Sequence, residues 1–301
     1  MTYSIIARDP DNGEMGVATQ SQAFAVGSSV SWALPGYGVI ATQSMGEPMY
    51  GELGLEVLRS GLTAPEAITA LRSVDPHPER RQVGMADGHG GIDGYTGDAC
   101  VGEAGQARGE HCIALANMMR SPDVWQAMVD TFEATDGWLA GRLVAALQAA
   151  EDAGGDRRGR RSAAIEVVCA EPSGRPWRDH IVDLRVDDDP EPIARLGDIV
   201  DYSFRYHRVV EAFELALDDE PDSAMDAIRD LTVDPDQEPE LALWEAIVLA
   251  TAERWDEAQQ LGKRLQATAP ELATTARSFG EVGLVDPAIL ERIFVTDGPA
   301  R

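Results

Sequence analysis

Residues 2–22, TYSIIARDPDNGEMGVATQSQ, contain two short segments with apolar residues on either side of a turn. The turn, Pro10-Asp11-Asn12-Gly13, combines residue types that favour chain reversal, through fixed or positive φ angles and local side-chain hydrogen bonds. We therefore predict a strand over residues 3–9, a second over residues 15–22, and their pairing as a hairpin.

The same reading, extended along the chain, predicts strands, two helices, strands, two helices and closing strands. The strands fall at residues 28–33, 39–43, 82–85, 92–96, 113–115, 163–169 and 181–186. The helices fall at residues 50–60, 65–73, 122–135 and 138–153, with Thr63 as the cap of the second and Ser121 as the cap of the third. Hairpins dominate, so the sheets are expected to be largely antiparallel with helices packed in pairs. A dinucleotide-binding βαβ unit is not indicated, because no Gly-rich turn leads directly from a strand into a helix.

An acidic, Pro-containing segment at residues 187–192 marks a domain boundary. We therefore divide the chain into a domain at residues 1–190 and a tail at residues 191–301. Only helices are predicted in the tail, at residues 193–217, 222–231, 241–253, 255–269 and 287–294. Segments 243–246 and 255–258, followed by Pro270, look like one tetratricopeptide repeat. Two repeats fall short of the number that usually stands alone, so we expect this tail to pack on the first domain, on a second copy or on a protein partner.

Charge restricts the possible functions. The formal net charge of −27 argues against nucleic-acid binding, because few cations are available to displace phosphate counterions. The one lysine, Lys263, contrasts with 24 arginines, and the acid excess resembles the composition of proteins adapted to high salt. A GC-rich genome would explain the missing lysine, but it would not explain the excess of acids.

The cellular location, and the need for a metal or cofactor, are predicted from segments and motifs that the sequence does not contain. No apolar run approaches the roughly 18 residues needed to span a bilayer, and the first residues lack the features of a signal peptide, so we expect a soluble, cytoplasmic protein. The three cysteines are interpreted as simple buried thiols, and the alternative is a catalytic Cys112 beside His111. The five histidines have no metal-ligand spacing, so we predict no metal and no cofactor.

Thr2 is the first candidate for chemistry. Removal of Met1 would leave a threonine with a free α-amine, in which the hydroxyl is the nucleophile and the amine is its base. The pKa of a free α-amine, about 7.7–8.0, suits a general base near neutral pH. Many chains begin Met-Thr without such a role, so position alone indicates this chemistry only weakly.

Several further segments strengthen that interpretation when they are taken together. They are TYSIIARD (2–9), GVATQS (16–21), ATQS (41–44) followed by PMYG (48–51), RRQVG (80–84), YTG (95–97), NM (117–118) and GGDRRG (154–159). Together, over about residues 2–190, they resemble the domain-of-unknown-function family 1028, a branch of the N-terminal-nucleophile (Ntn) hydrolases. The resemblance implies an α+β fold, the four-layer αββα sandwich of that superfamily, followed here by a small all-α helical-repeat tail outside the match.

The resemblance also implies functional residues. Thr2 would be nucleophile and base, with Ser21 and Gln20 lining it and Gln43 in the binding set. The chain departs from the family's pattern at Gln22, where a lysine is expected, so a cation that would keep the Thr2 amine neutral is lost. It departs further at Glu47, Ala116 and Arg161, where asparagine, glycine and glutamine are usual.

Residues 154–162, GGDRRGRRS, place four arginines in five positions of an acidic protein. Arg157 and Arg158 could clamp a substrate carboxylate or phosphate, with Asp156 orienting one of them. The alternative is a surface loop whose arginines pair with nearby acids. Asn117, entering the loop before Ser121, could donate to an oxyanion, or it could simply form a turn.

Three hypotheses follow from these observations. The first is an amidohydrolase with an N-terminal threonine, acting on a small amide or an acylated amino-acid-like compound. The second is a non-catalytic protein that binds a small anion and recruits partners through its tail. The third is an assembly protein whose tail drives homo-oligomer formation.

Overall fold

The computed structural model describes residues 2–294. It contains ten strands: β1 Thr2–Arg8, β2 Met15–Ser21, β3 Ser31–Leu34, β4 Gly38–Ser44, β5 Arg81–Asp87, β6 Ile92–Thr96, β7 Glu103–Arg108, β8 Cys112–Met119, β9 Ser162–Val168 and β10 His180–Val186. They form a six-stranded sheet in the order β10-β9-β2-β1-β8-β7 and a four-stranded sheet in the order β3-β4-β5-β6. Every pairing in both sheets is antiparallel, as the predominance of hairpins predicts.

The first hairpin lies at the centre of the larger sheet. Its turn is closed by the backbone N–H of Gly13, which donates to the carbonyl of Asp9 at 2.9 Å, and Gly13 itself has φ +76°. A positive φ favours glycine over residues with a Cβ. The side chain of Asn12 supports the same turn by accepting from the backbone N–H of Glu14 at 2.9 Å.

Five helices accompany these strands: α1 Met49–Arg59, α2 Ala64–Val74, α3 Val124–Ala134, α4 Leu139–Asp152 and the single turn α5 Pro176–Asp179. The two sheets face each other across an apolar cluster that includes Ile6 and Val17 from one sheet and Val39 from the other. A second cluster joins the larger sheet to α3 and α4, and a third joins the smaller sheet to α1 and α2. Each sheet is therefore covered on both faces, which explains why most of their residues are buried.

The remaining helices are α6 Pro192–Leu217, α7 Pro221–Ile228, α8 Pro239–Thr251, α9 Trp255–Thr268, α10 Pro270–Glu281 and α11 Pro287–Ile293. The chain separates into two compact units, which divide within α6 after Asp201. The second unit has its own core, in which Trp244 lies between Phe213 and Phe279 at centroid distances of 4.5 and 5.4 Å. Within residues 2–294, no helix has both the length and the apolarity needed to cross a membrane.

Several elements differ from the predicted ones. The edge strand β7 and the helices α5 and α10 were not predicted. Pro270, interpreted as the end of a repeat, is the first residue of α10, a position that proline tolerates well. Ser121 does not cap α3: the helix begins at Val124 after Asp123, and the Ser121 hydroxyl accepts from the backbone N–H of Asp123 at 3.1 Å.

Candidate active site

Thr2 is the first residue of β1 and pairs with Ser21 of β2 on one side and Asn117 of β8 on the other. Alternation along β1 turns the side chains of Thr2, Ser4 and Ile6 towards the smaller sheet. The Thr2 hydroxyl donates to Ser21 Oγ at 3.3 Å, and Thr2 is only 4% exposed. The two hydroxyl residues proposed from the sequence therefore lie together.

Two side-chain amides donate hydrogen bonds to the backbone carbonyl of Thr2. Gln43 Nε2 donates to it at 3.1 Å and Asn117 Nδ2 at 3.2 Å. Both amides also donate to Gln82 Oε1, at 2.7 and 2.9 Å respectively. Because both N–H bonds of the Asn117 side chain are used in this way, Asn117 fixes the position of Thr2 and is not free to donate to an oxyanion. It also lies within β8 and does not enter a loop.

Gln82 is the residue of this network that the sequence analysis missed. It is fully buried on β5 of the smaller sheet, and its Nε2 donates to the backbone carbonyl of Ala116 at 2.9 Å. It thereby links the two sheets, and its Oε1 accepts from both of the amides that hold the carbonyl of Thr2. Its place in the RRQVG segment was the available signal, but nothing in the local pattern distinguishes it from a structural glutamine.

A buried ion pair lies on the Ser21 side of Thr2. Arg158 donates to Asp156 through Nε at 3.2 Å and through Nη2 at 2.8 Å, and its Nη2 also lies 3.5 Å from Ser21 Oγ. The Asp156 side chain has no exposed surface, whereas 32% of the Arg158 side chain is exposed. Arg158 therefore brings a permanent positive charge to the site, which Gln22 does not provide.

Gln20 lies on the opposite face of the sheet from Thr2. It pairs with Tyr3, whose side chain faces α3 and α4, and the two residues share that face. Neither the amide nitrogen nor the amide oxygen of the Gln20 side chain has a hydrogen-bond partner among the described residues, although the residue is fully buried. The neighbouring Tyr3 hydroxyl donates to Glu151 at 2.9 Å, and burial, followed by the charge of Glu151, raises the pKa of Tyr3 well above its usual range.

The other arginines of this loop are engaged with protein groups. Arg157 donates to the carbonyl of Met119 at 3.1 Å. Arg160 pairs with Glu151 at 3.2 Å and with Glu191, and Arg161 pairs with Asp188 at 2.7 Å. Arg157 and Arg158 do not form a pair of open donors for a substrate anion, and this arrangement favours the alternative of an internally paired loop.

A cavity of about 300 Å³ opens beside Thr2. It is lined by residues from β1, β4 and the two loops that follow β2 and β4: Thr2, Ala23, Val26, Ser29, Val30, Thr42, Gln43, Ser44, Gly46 and Pro48. This volume is at the small end of the range for ligand-binding pockets, roughly 300–1,000 Å³. Ser21, Asp156 and Arg158 are outside this lining, so the polar group and the cavity flank Thr2 separately.

Three residues near Thr2 and the cavity have an unfavourable backbone conformation. Ala25, Ser44 and Met118 have φ values of 51°, 73° and 58°, although none of them is glycine. Ser44 lines the cavity, Ala25 precedes the lining residue Val26, and Met118 follows Asn117. Such conformations cost of the order of 1 kcal/mol or more each and occur preferentially at functional sites.

The alternative centre at Cys112 has the wrong chemistry for catalysis. Cys112 is buried on β8, and burial raises the pKa of its thiol to about 12. A reactive cysteine needs a lowered pKa and access to solvent. Within residues 2–294, no three His, Cys, Asp or Glu side chains are grouped so that they could hold a metal ion.

Comparisons with known proteins agree on one family. The model for a family of unknown function, DUF1028, matches residues 2–196. Among solved structures, the crystal structure of protein SPO2555 from Silicibacter pomeroyi, assigned to the same family model, is similar, with a TM-score of 0.60 and 31% sequence identity. The similarity covers 67% of this chain and 88% of that one. No protein with a curated description matches the chain.

Proposed function

Since the chain belongs to the DUF1028 family, for which no function is known, we propose from the site itself that the protein is an amidohydrolase whose nucleophile is an N-terminal Thr2. The observation that carries the proposal is the position of the Thr2 hydroxyl, 3.3 Å from Ser21 Oγ at the wall of a small cavity. The substrate would be a small amide or an acylated amino-acid-like compound.

The fold supports this assignment. N-terminal-nucleophile hydrolases are expected to have two facing antiparallel sheets with a helix pair outside each. The three apolar clusters of the first unit have the corresponding positions, one between the sheets and one between each sheet and its helices. In the proposed sandwich, Thr2 begins a central strand, with its side chain between the sheets.

The reaction requires a free amine on Thr2, so the bond to Met1 must be cut first. While that bond exists, the nitrogen belongs to an amide and cannot act as a base. Once free, the amine accepts the proton from Oγ1 as Oγ1 attacks the substrate carbonyl carbon. The amine then passes this proton to the leaving amine as the C–N bond breaks, and an ester to Thr2 remains. Water, giving a proton to the same amine, hydrolyses the ester and restores the threonine.

Arg158 has a defined part in this mechanism. A positive charge near an amine disfavours the protonated amine and lowers its pKa. The guanidinium group, 3.5 Å from Ser21 Oγ, would offset the negative charge of the buried Asp156, which alone would raise the pKa of the amine, and would thereby help to keep the Thr2 amine neutral and able to accept a proton. In this proposal Arg158 takes the role of the cation that is missing at Gln22.

The second unit has a separate proposed role. Helices α8 and α9 form a hairpin, and α10 begins 31 residues after the start of α8 and is followed by α11. This repeat of helix pairs supports a tetratricopeptide-like tail, close to the usual period of about 34 residues. Such a tail would bind a protein partner or a second copy of the chain, in the cytoplasm.

Replacement of the nucleophile gives the first test. Thr2→Ala is expected to abolish turnover of acylglycines and simple amides, because it removes the nucleophilic hydroxyl; it also removes one methyl group, so circular dichroism should stay unchanged and melting should change only slightly. Thr2→Ser keeps a hydroxyl and is expected to retain part of the activity. Thr69→Ala, an exposed threonine on α2, is the matched control and is expected to behave like wild type.

Intact-mass measurement of the same samples determines whether the Thr2 amine is free. Active protein is expected to have lost Met1, and samples with more retained Met1 should be proportionally less active. Equal activity in wild type and Thr2→Ala would contradict the proposal, as would full activity in protein that retains Met1.

A further inference from the structure

The cavity beside Thr2 has no charged lining, although 26% of the chain's residues are charged. None of its ten described lining residues has an ionisable side chain. The buried aliphatic groups of Val26 and Val30 form part of the wall. The polar members of the lining are all uncharged: four residues with hydroxyl groups and one with an amide, namely Thr2, Ser29, Thr42, Ser44 and Gln43. A charged group placed there would lose water without gaining an ion pair, which is strongly unfavourable.

The nearest acid in the sequence is directed elsewhere. Glu47 lies between two lining residues, Gly46 and Pro48, but it is not part of the lining itself. Its carboxylate is 3.8 Å from the guanidinium group of Arg81 and accepts from the backbone N–H of Met49 at 3.4 Å. The cavity therefore remains uncharged even where the sequence places an acid beside it.

The two loops that form the cavity also carry exposed apolar side chains. Phe24 follows the lining residue Ala23 and is 64% exposed. Met45 stands between the lining residues Ser44 and Gly46 and is 56% exposed. Neither side chain is part of the cavity lining, and Phe24 lies against the guanidinium group of Arg161 at 5.6 Å, so the inference rests on the lining itself.

A polar group outside the lining lies on the Ser21 side of Thr2. Ser21 and Asp156 of this group are buried, and the Arg158 side chain, 32% exposed, connects it to solvent. A leaving amine must take up a proton and reach water, so this side suits it better than the uncharged cavity. The acyl group of the substrate then occupies the cavity.

We infer that the substrate's acyl group is short and uncharged, predominantly apolar, and binds in this cavity; the inference rests on the proposed function and specifies its substrate class. The volume of about 300 Å³ gives room for roughly ten water-sized groups. Dicarboxylic acyl groups, such as succinyl, and amino-acyl groups with a terminal ammonium are excluded by charge and not by size.

Pairs of acylglycines with equal shape and different charge test the inference. 4-Methylpentanoylglycine is compared with succinylglycine, and pentanoylglycine with 4-aminobutanoylglycine, by release of glycine at pH 7.5. The value of kcat/KM is expected to be at least 100-fold higher for the neutral member of each pair. A charged member hydrolysed as well as its neutral partner, in a Thr2-dependent manner, would overturn the inference and leave the proposed function intact.

Gly46→Leu tests the position of the acyl group. A Cβ at Gly46, a lining residue, has no neighbour nearer than the carbonyl of Thr42 at 3.9 Å, so the position accepts a side chain, and we expect leucine to fill part of the cavity. Turnover of pentanoylglycine is expected to fall at least tenfold relative to acetylglycine. Gly141→Leu on α4, where a Cβ has no neighbour within 4 Å, is the matched control and should keep the wild-type ratio.

If the protein hydrolyses no acylglycine, the acyl site can still be tested by measuring ligand binding. Ligand-observed NMR with isovaleramide and succinamate then replaces the kinetic assay. Binding of isovaleramide that is weakened in Gly46→Leu and kept in Gly141→Leu supports the acyl site. Absence of isovaleramide binding to wild type, or equal binding of succinamate, rejects it. Loss of all Thr2-dependent turnover alongside intact isovaleramide binding counts against the proposed function alone.

Discussion

Arg158 is the residue whose role is least evident from the sequence and most specific in the structure. Its guanidinium group pairs with the buried Asp156 and lies 3.5 Å from Ser21 Oγ. We expect Arg158→Gln to lower kcat/KM by about 10- to 100-fold, the equivalent of a hydrogen bond to a charged group, about 1.5–3 kcal/mol. Loss of the cation also raises the pKa of the Thr2 amine, so the acidic limb of the pH–rate profile should move to higher pH.

The conservative variant separates charge from structure. Arg158→Lys keeps a cation and is expected to restore much of the wild-type pH profile, even if the rate remains lower because the bidentate pair with Asp156 is lost. Arg178→Gln, in the short helix α5, is the control for loss of a cation elsewhere. An unchanged acidic limb in Arg158→Gln would show that the guanidinium group acts only as a structural partner of Asp156.

One buried carboxylate, that of Asp75, joins α1, α2 and β5. Asp75, directly after α2, accepts from Arg81 Nε of β5 at 2.8 Å and from the Tyr50 hydroxyl of α1 at 3.1 Å. The hydrogen bonds from Arg81 lower the pKa of Asp75 to about 2. A carboxyl with a lowered pKa in the folded state stabilises the protein above its unfolded pKa, near 4, and this contribution is lost as the pH falls towards 2.

Replacement of Asp75 should therefore change both stability and its dependence on pH. We expect Asp75→Asn to lower the free energy of unfolding at pH 7 by about 3 kcal/mol, because the buried Arg81 loses its close counter-ion and keeps only the more distant Glu47 at 3.8 Å. The difference from wild type should shrink by about 2 kcal/mol between pH 5 and pH 2.5, the value of the lost pKa shift. Urea denaturation at several pH values measures this, with Asp130→Asn on the exposed face of α3 as the control. If the difference in the free energy of unfolding between wild type and Asp75→Asn did not change with pH, the ionisation of Asp75 would not contribute to stability as proposed.

The elements differ in how far the sequence predicts them. The β1–β2 hairpin and the helix starting after Thr63 were predictable because turn chemistry and capping are local. The Thr63 hydroxyl and N–H both donate to Glu66, at 2.7 and 2.9 Å. The segment EAGQAR of β7 lacks a run of apolar residues because it is an edge strand, and its pairing with β8 alone makes it a strand.

The candidate site was predictable only in part, for the same physical reason. Thr2 and Ser21 lie on neighbouring strands of one hairpin, so their contact follows from local register. The alternation of side chains in that hairpin also places Gln20 on the other face, which the interpretation of the sequence did not take into account. The contact of Arg158 with Ser21 spans 137 residues and depends on the whole sheet order, which local patterns do not determine.

For the whole molecule, charge density differs between the two parts of the chain. Residues 201–301 contain 22 acidic and 9 basic residues, against 30 and 16 in the first 200 residues. Burial and the nearby Glu257 raise the pKa of Glu245 to about 7, so the tail holds carboxylates in places that disfavour their charge. Its exposed ion pairs, such as Arg254–Glu257, add little stability.

We expect the tail to loosen before the first unit as salt is removed. The screening length grows from about 3 Å at 1 M salt to about 10 Å at 0.1 M, so repulsion among the tail carboxylates increases. Hydrogen exchange at molar and millimolar salt measures it: protection should fall in α8 and α9 first and persist longer in β1 and β2. Equal protection of α8 and α9 at both concentrations, or earlier opening of the sheets, would contradict the expectation.

The position of Thr2 between β2 and β8 fixes when the proposed catalyst can be activated. An aminopeptidase needs an accessible, extended terminus, whereas Thr2 in the folded protein is 4% exposed and paired on both sides. The strand β8 leaves the ribosome roughly 100 residues after β1, which takes about 5–20 s at ordinary rates of synthesis. We therefore expect Met1 to be removed before β8 pairs with β1, most readily on the nascent chain. In the proposed mechanism, a chain that folds with Met1 still attached keeps the Thr2 nitrogen in an amide, so the active fraction would depend on how completely the cell removes Met1 during translation.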